Sequence, residues 1–205
     1  MGMAISGFFG IGSLHGHPHS RNTLPKRLSD HTISIGTWNC PEAILTSGQL
    51  MEGGTPSLEA VVKGVAVEKA NENNTTVGIG ASPDRSGRVT LDACVMNSNG
   101  DCGAVMAAEN IVHVARLAQY VMEDTPHVNL VGLGAEEFAY SKGFPKTQLL
   151  SIAAEKRWKA WLQKSEFTPK INVENHDTIG MLCLDAQGKL SGSFTTSGLA
   201  YKMKG

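Results

Sequence analysis

Thr178-Ile179-Gly180-Met181-Leu182-Cys183-Leu184-Asp185-Ala186-Gln187-Gly188, with the return from Lys189 to Thr196, is the stretch whose reading decides the fold. Thr178 to Leu184 reads as a buried strand, Asp185 to Gly188 as a turn, and Lys189 to Thr196 as the returning strand. Upstream, Lys164 to Asp177 is polar, contains Pro169 and shows no clear period, which reads as an exposed connection. Thr178 therefore opens a buried strand directly behind a polar linker, with His176 and Asp177 immediately before it. A threonine hydroxyl needs a base to become a nucleophile, and its own α-amine can serve if the bond after Asp177 is cut. An α-amine has a reference pKa of about 7.7–8.0 against about 10.4 for lysine, so a useful fraction is unprotonated near neutrality. Judged by residue type alone, a strand threonine does no more than fill β-space, and a linker histidine only meets water.

Working outward, Thr32 to Trp38 alternates as a strand, and Thr55-Pro56 reads as the cap of a helix with Leu58, Val61, Val62 and Val65 along its apolar stripe. Arg88 to Met96 and Cys102 to Met106 flank Asn97-Ser98-Asn99-Gly100, a hairpin signal. Helices are expected from about Asn110 to Glu123, with Ile111, Val114, Ala118 and Val121 inward, and from about Ala135 to Lys142, ending at Gly143. A further helix over 151–163 places Ile152, Trp158, Trp161 and Leu162 on one face, read as core or interface. Gly78-Ile79-Gly80 lacks a third glycine at dinucleotide-fingerprint spacing and precedes Pro83, so it reads as a loop. Strands, then helices, then strands indicate an α+β sandwich in which helices cover an antiparallel sheet.

Composition narrows the function. The 205 residues fit one domain or one domain with an appendage, and 41% hydrophobic with 18% charged residues is enough for a packed core. A formal charge of −1 supplies no field for gripping a phosphate backbone or anionic lipid, so neither nucleic acid nor membrane is expected as a partner. No apolar run approaches the roughly 20 residues of a spanning helix. Cys40, Cys94, Cys102 and Cys183 form no CxxC pair and read as free thiols, and no cofactor or metal site is expected. Residues 1–30 read as a flexible tail or export-signal remnant. Met3 to Leu14 has the length of a signal core, although no Lys or Arg precedes Arg21. That reading implies a periplasmic or otherwise exported protein, or a lysosomal one in a eukaryote. His15, His17 and His19 belong to this tail and read as bland. Asn73-Asn74-Thr75-Thr76 holds two overlapping glycosylation acceptors, relevant only in a eukaryotic secretory route.

Asn175-His176-Asp177-Thr178-Ile179-Gly180-Met181 resembles the self-cleavage and nucleophile motif of the glycosylasparaginases, which are N-terminal-nucleophile hydrolases. Ser34 to Asn39, Val77 to Asp84, Gly87 to Ala93, Thr125 to Gly132 and Thr195 to Gly198 are similar to that family in the same order. The resemblance runs from about residue 24 to the end, and the His-Asp-Thr-Ile-Gly form favours glycosylasparaginase over the isoaspartyl peptidases or L-asparaginases of the same fold. It implies a four-layer αββα sandwich, with an α-chain over 31–177 and a β-chain beginning at Thr178. It further implies self-cleavage by the Thr178 hydroxyl on the Asp177 carbonyl, aided by Asp177 and the geometry of His176. The freed threonine would then attack the side-chain amide of a glycosylated asparagine. Thr196 is expected to hydrogen-bond the nucleophile and Trp38 to shape the substrate pocket, in a dimer of αβ units. Family members continue past the position of Gly205 with a Gly-Arg-Val-Gly-Asp-Ser-Pro substrate clamp and a Thr-Gly-His-Gly oxyanion segment. Neither lies in these 205 residues, so the β-chain and the sandwich are expected to be incomplete in 178–205, and this polypeptide alone inactive or in need of a partner half.

Overall fold

The computed structural model describes residues 31–71, 74–164 and 178–204. The N-terminal tail, and His176 and Asp177 with most of the polar connection, lie outside the described residues. The strands are β1 (Ile33–Gly36), β2 (Leu91–Met96), β3 (Cys102–Ala108), β4 (Asn129–Val131), β5 (Thr178–Leu184) and β6 (Leu190–Thr196). The helices are α1 (Pro41–Glu52), α2 (Ser57–Lys69), α3 (Val114–Asp124), α4 (Gly132–Ser141) and α5 (Ile152–Lys164). One six-stranded sheet runs in the order β1-β5-β6-β2-β3-β4. Its pairs are antiparallel except β3 with β4, which is parallel.

The period of two in the strands sorts side chains onto two faces. One face presents Leu91, Ala93, Val95, Val105, Ile179, Met181 and Cys183, all buried. Helices α1, α2 and α3 pack over it and contribute Ala43, Val61, Val65, Val114, Leu117 and Val121 to the same core. The α+β class expected from the sequence is therefore what the chain forms. The described residues supply one helix layer and one sheet of the expected four layers. The opposite face carries Ile35, Met96, Leu182, Leu190 and Phe194, all exposed among the described residues. An apolar groove of about 360 Å³ runs over Cys94, Met96, Leu182, Leu190 and Phe194 on that face.

Several local expectations need correction. Thr55 does not cap α2: Pro56 occupies the cap position without a side-chain bond, and the Ser57 amide donates instead to the Asp185 carboxylate at 3.1 Å. A carboxylate from a distant turn offers a full charge to the helix N-terminus, which a threonine hydroxyl cannot. Helix α3 begins at Val114 rather than near Asn110, because Asn110 adopts φ 64° and cannot join a right-handed turn. Arg88 to Thr90 stays outside β2. In α5, Ile152 is 88% exposed and Leu162 is exposed too, so neither lies on the packed face. The packed stripe is Ala154, Arg157, Trp158 and Trp161. Arg157 donates to the Gly80 carbonyl at 3.0 Å, Trp158 to the Arg85 carbonyl at 3.2 Å, and Trp161 stacks on Tyr201 with centroids 4.6 Å apart. Gly78 to Gly80 forms a short 3₁₀ turn. Helix α1 and strand β4 were not legible, since α1 buries only Ala43, Ser47 and Met51.

Two glycines test the packing from opposite sides. Gly48 lies inside α1 with open space where a Cβ would stand, whereas a Cβ on Gly103 would collide with the Ala118 carbonyl and Met122 of α3. Gly48→Ala should stabilise by about 0.5–1 kcal/mol through chain entropy. Gly103→Ala should cost about 1–3 kcal/mol by prising α3 from β3. Urea midpoints of the two variants should shift in opposite directions.

Candidate active site

Strand register assembles the site at one end of the sheet. Thr178, first residue of β5, pairs directly with Thr196, last residue of β6, and Thr196 pairs with Asp92 of β2. Directly opposed residues of antiparallel strands project to the same face, so Thr178, Thr196 and Asp92 stand in a row. All three are half-buried. Thr196, which the family resemblance assigns to hydrogen-bonding the nucleophile, lies directly across the ladder from Thr178. Asp92 was missed as a site residue, although it stands within the Gly87 to Ala93 motif.

Trp38 closes the row from the β1 side. Its indole N–H donates to the main-chain carbonyl of Thr178 at 2.9 Å, while its backbone sits at φ 63°. A bulky residue in the left-handed region is costly, and it is held here by its neighbours. Thr37 clasps β5 twice: its amide donates to the Gly180 carbonyl at 2.8 Å, and its hydroxyl accepts the Gly180 amide at 2.9 Å. Trp38 as a whole is 51% exposed, and its indole is tethered to Thr178.

The β6 end is fixed equally closely. The Gly198 amide donates to the Thr196 hydroxyl at 2.9 Å, and the Ser197 hydroxyl donates to the Thr76 carbonyl at 2.6 Å. The Thr195 hydroxyl donates to the Asp92 carbonyl at 2.8 Å. Asp92 in turn accepts the Ala107 amide at 2.7 Å, where the ladder between β2 and β3 shifts register. Ala107 takes φ 51° at that irregularity. Such a bulge re-aims a backbone donor, here onto a carboxylate.

Beneath the row lies Lys69, the last residue of α2, 1% exposed, whose ammonium donates to the Thr196 carbonyl at 3.4 Å. Burial pushes its pKa from 10.5 down to about 7, and the negative charge of Asp92 opposes that fall. His113, at the start of α3, is likewise lowered, by desolvation first and then by the positive charges of Arg116 and Lys69. Nothing in the sequence pattern marked Lys69, because a lysine at a helix C-terminus is ordinarily a solvated cation.

Chemically, the row offers a hydroxyl at a strand start, a second hydroxyl directly opposite and a nearby carboxylate. His176 and Asp177, the remaining predicted participants, fall outside the described residues.

A family model described as asparaginase matches residues 15–205. The chain is 48% identical over 185 residues to an N(4)-(β-N-acetylglucosaminyl)-L-asparaginase of Elizabethkingia miricola, covering 90% of this chain and 54% of that protein. It is 29% identical over 204 residues to the protein of that name from Rattus norvegicus, covering 84% of this chain and 59% of the relative. The protein of that name from Mus musculus is also 29% identical, over 205 residues, with the same coverage of 84% and 59%. The chain spans about half the length of the curated relatives it matches.

The buried lysine makes stability depend on pH. Below about pH 7 it is charged in both folded and unfolded chains, and the fold carries the whole burial penalty. Between about 7 and 10.5 the folded group is neutral while the unfolded one still binds a proton, so stability rises with pH. The slope from this group is at most about 1.4 kcal/mol per pH unit. Lys69→Met should therefore be more stable than wild type near pH 7, with the advantage shrinking toward pH 10 in denaturant titrations. An advantage constant across that range would exclude a depressed lysine.

Proposed function

Because the chain belongs to the asparaginase family, whose model matches residues 15–205, we propose that it is an N-terminal-nucleophile amidohydrolase. Its substrate in this reading is the amide joining N-acetylglucosamine to asparagine, cleaved after self-cleavage between Asp177 and Thr178. The observation that carries the reading is the position of Thr178. It opens a central strand, opposite Thr196, with its carbonyl held by Trp38. The names of the bacterial and mammalian relatives support this choice of substrate.

In the first step the Thr178 hydroxyl attacks the Asp177 carbonyl. The peptide C–N bond breaks as the ester C–O bond forms, and the nitrogen takes up the hydroxyl proton. Water then cleaves the ester, leaving a carboxylate on Asp177 and a free α-amine on Thr178. That amine is the base for the second reaction. It accepts the hydroxyl proton as Thr178 attacks the side-chain amide carbon of the glycosylated asparagine, and the amino sugar departs with a proton. Water releases aspartate from the resulting ester. In this reading Thr196, directly across the ladder, holds the Thr178 hydroxyl in line, and Trp38 walls the substrate side.

Scission at this point leaves the halves together. β5 and β6 lie between β1 and β2, with ladders on both sides, so the new β-chain stays woven into the sheet made by the α-chain. A further pairing of two such αβ units, and export of the protein, belong to the same reading.

The product of the complete reading frame should run as two fragments on a denaturing gel and as one species under native conditions. The smaller fragment should start at Thr178. Thr178→Ala should abolish the cut, and Thr178→Ser should retain it at a reduced rate. The cut wild type should prefer glycoasparagine to β-aspartyl dipeptides and free asparagine. Equal or better turnover of β-aspartyl dipeptides would replace the proposed substrate with that class.

A further inference from the structure

We propose that Lys69 is a positioning residue for the nucleophile, acting through the main-chain carbonyl of Thr196. The inference rests on the reading of Thr178 as nucleophile and adds a group that the self-cleavage chemistry does not call for.

The lysine is held at both ends. Its main chain is pinned by the turn that follows α2, because a Cβ on Gly78 would collide with the Lys69 carbonyl and only a glycine at φ 72° fits there. Its side chain runs through the core to β6, where the ammonium meets the Thr196 carbonyl at 3.4 Å. The same turn reaches β6 a second time, through Thr76, whose carbonyl accepts the Ser197 hydroxyl. The end of β6 is thus gripped on consecutive residues by the α2 terminus and the loop behind it. Thr196 is the residue across the ladder from Thr178, so whatever fixes its carbonyl fixes the plane from which its hydroxyl faces the nucleophile.

Stability does not account for a lysine here. Taking an ammonium out of water is expensive, and one long bond to a neutral carbonyl returns little of that cost. Favourable interaction with the C-terminal end of the α2 dipole is small beside it. A methionine would fill the same channel with no charge to bury.

The charges around the ammonium are few and unequal. Asp92 of β2 attracts it, while on the α3 side the positive charges of Lys69 and Arg116 both disfavour protonation of His113. Arg116 and Lys63 are largely offset by Glu59 of α2, which pairs with both. A cavity of about 250 Å³ between α2 and α3, lined by Lys69, His113, Arg116 and Phe144, lies alongside. Protonated, Lys69 is a charged donor to Thr196. Neutral, it is a weak one, and the grip on β6 slackens.

The test is the pH profile of kcat for glycoasparagine hydrolysis by the product of the complete reading frame, in wild type, Lys69→Met and Lys69→Arg. Wild-type kcat should rise as the Thr178 α-amine loses its proton and fall as Lys69 loses its own. The falling limb is the signature, because the amine can only produce a rising one. Lys69→Met should keep the rising limb, lose the falling limb and show kcat lower by about tenfold with KM changed less than about twofold. Lys69→Arg should recover most of kcat and carry it to higher pH. A cut, active wild type with no falling limb overturns the assignment, as does Lys69→Met with wild-type kcat and profile. Should the methionine variant fail to fold, the wild-type and arginine profiles decide alone. A wild type that is neither cut nor active overturns the nucleophile assignment itself, and its uncut chain on a gel marks that failure as the different one.

Discussion

The structure depends on the insertion of one hairpin, β5–β6, into the middle of a sheet whose other strands come from earlier in the chain. Its outer ladders, to β1 and to β2, fix register on both sides. Register matters because the side-chain period in a strand is two. A slip by one residue would send Thr178 and Thr196 to the helix-covered face and expose Ile179 and Thr195 in their place. The hydrophobic pattern forbids that slip, since Ile179, Met181 and Cys183 are all buried under the helices. The face on which Thr178 and Thr196 stand is therefore specified by buried apolar residues on the other side of the sheet.

What the sequence made legible follows the strength of local pattern. The hairpins around Asn97 to Gly100 and Asp185 to Gly188, and the stripe of Val61, Val62 and Val65 in α2, were readable because period and turn chemistry agreed. Thr178 stood out by its position at the start of a buried strand behind a polar linker, Thr196 and Trp38 came from family resemblance alone, and the three lie together in the structure. The failures have physical causes. Helix α1 buries a small residue, a serine and a methionine at four-residue spacing, too weak a stripe to stand out. The face of α5 was misjudged because its packing is set by polar and aromatic tethers to Gly80, Arg85 and Tyr201 rather than by its aliphatic residues. Asp92 and Lys69 were illegible for a different reason. Each meets Thr196, far away in sequence, and no local pattern encodes a contact that only the register of the sheet creates.

The sheet is apolar on both faces, which distinguishes it from an antiparallel sheet built with one wet side. On the face away from the helices, Phe194 stands directly across from Gly180 and Leu182 directly across from Gly192. A Cβ on Gly180 would meet the Phe194 ring at 2.7 Å, and one on Gly192 would meet Leu182 at 2.9 Å. Each large side chain thus lies down over a glycine, which flattens the face while keeping it apolar. A large exposed apolar patch of this kind needs a reason. The four-layer sandwich implied by the family supplies one, because sheet-on-sheet packing requires a broad apolar face about 10 Å from its partner. The same glycine that flattens this face, Gly180, is the one Thr37 clasps, so layer packing and site geometry meet at a single residue.

Helix α2 ties these elements together by acting as a ruler along β6. At its N-terminus the Ser57 amide meets the Asp185 carboxylate and the Ser57 hydroxyl meets that of Ser191, near the turn end of the hairpin. At its C-terminus Lys69 reaches Thr196, at the reactive end. From Ser57 to Lys69 a helix rises about 18 Å, and from Ser191 to Thr196 a strand advances about 17 Å, so the two lengths match. The charges match as well: a carboxylate sits at the positive end of the helix dipole and an ammonium at the negative end. Asp185 is also bonded by the amides of Gln187 and Lys189, which makes the turn end a rigid anchor. With one end fixed in this way, any change in the grip of Lys69 must be taken up at the other, where Thr196 faces Thr178. The dipole that favours both charges cannot by itself offset burying the lysine, whereas the carboxylate is repaid by its amide donors. This asymmetry puts the costly contact of α2 at the end of the sheet where the proposed nucleophile stands.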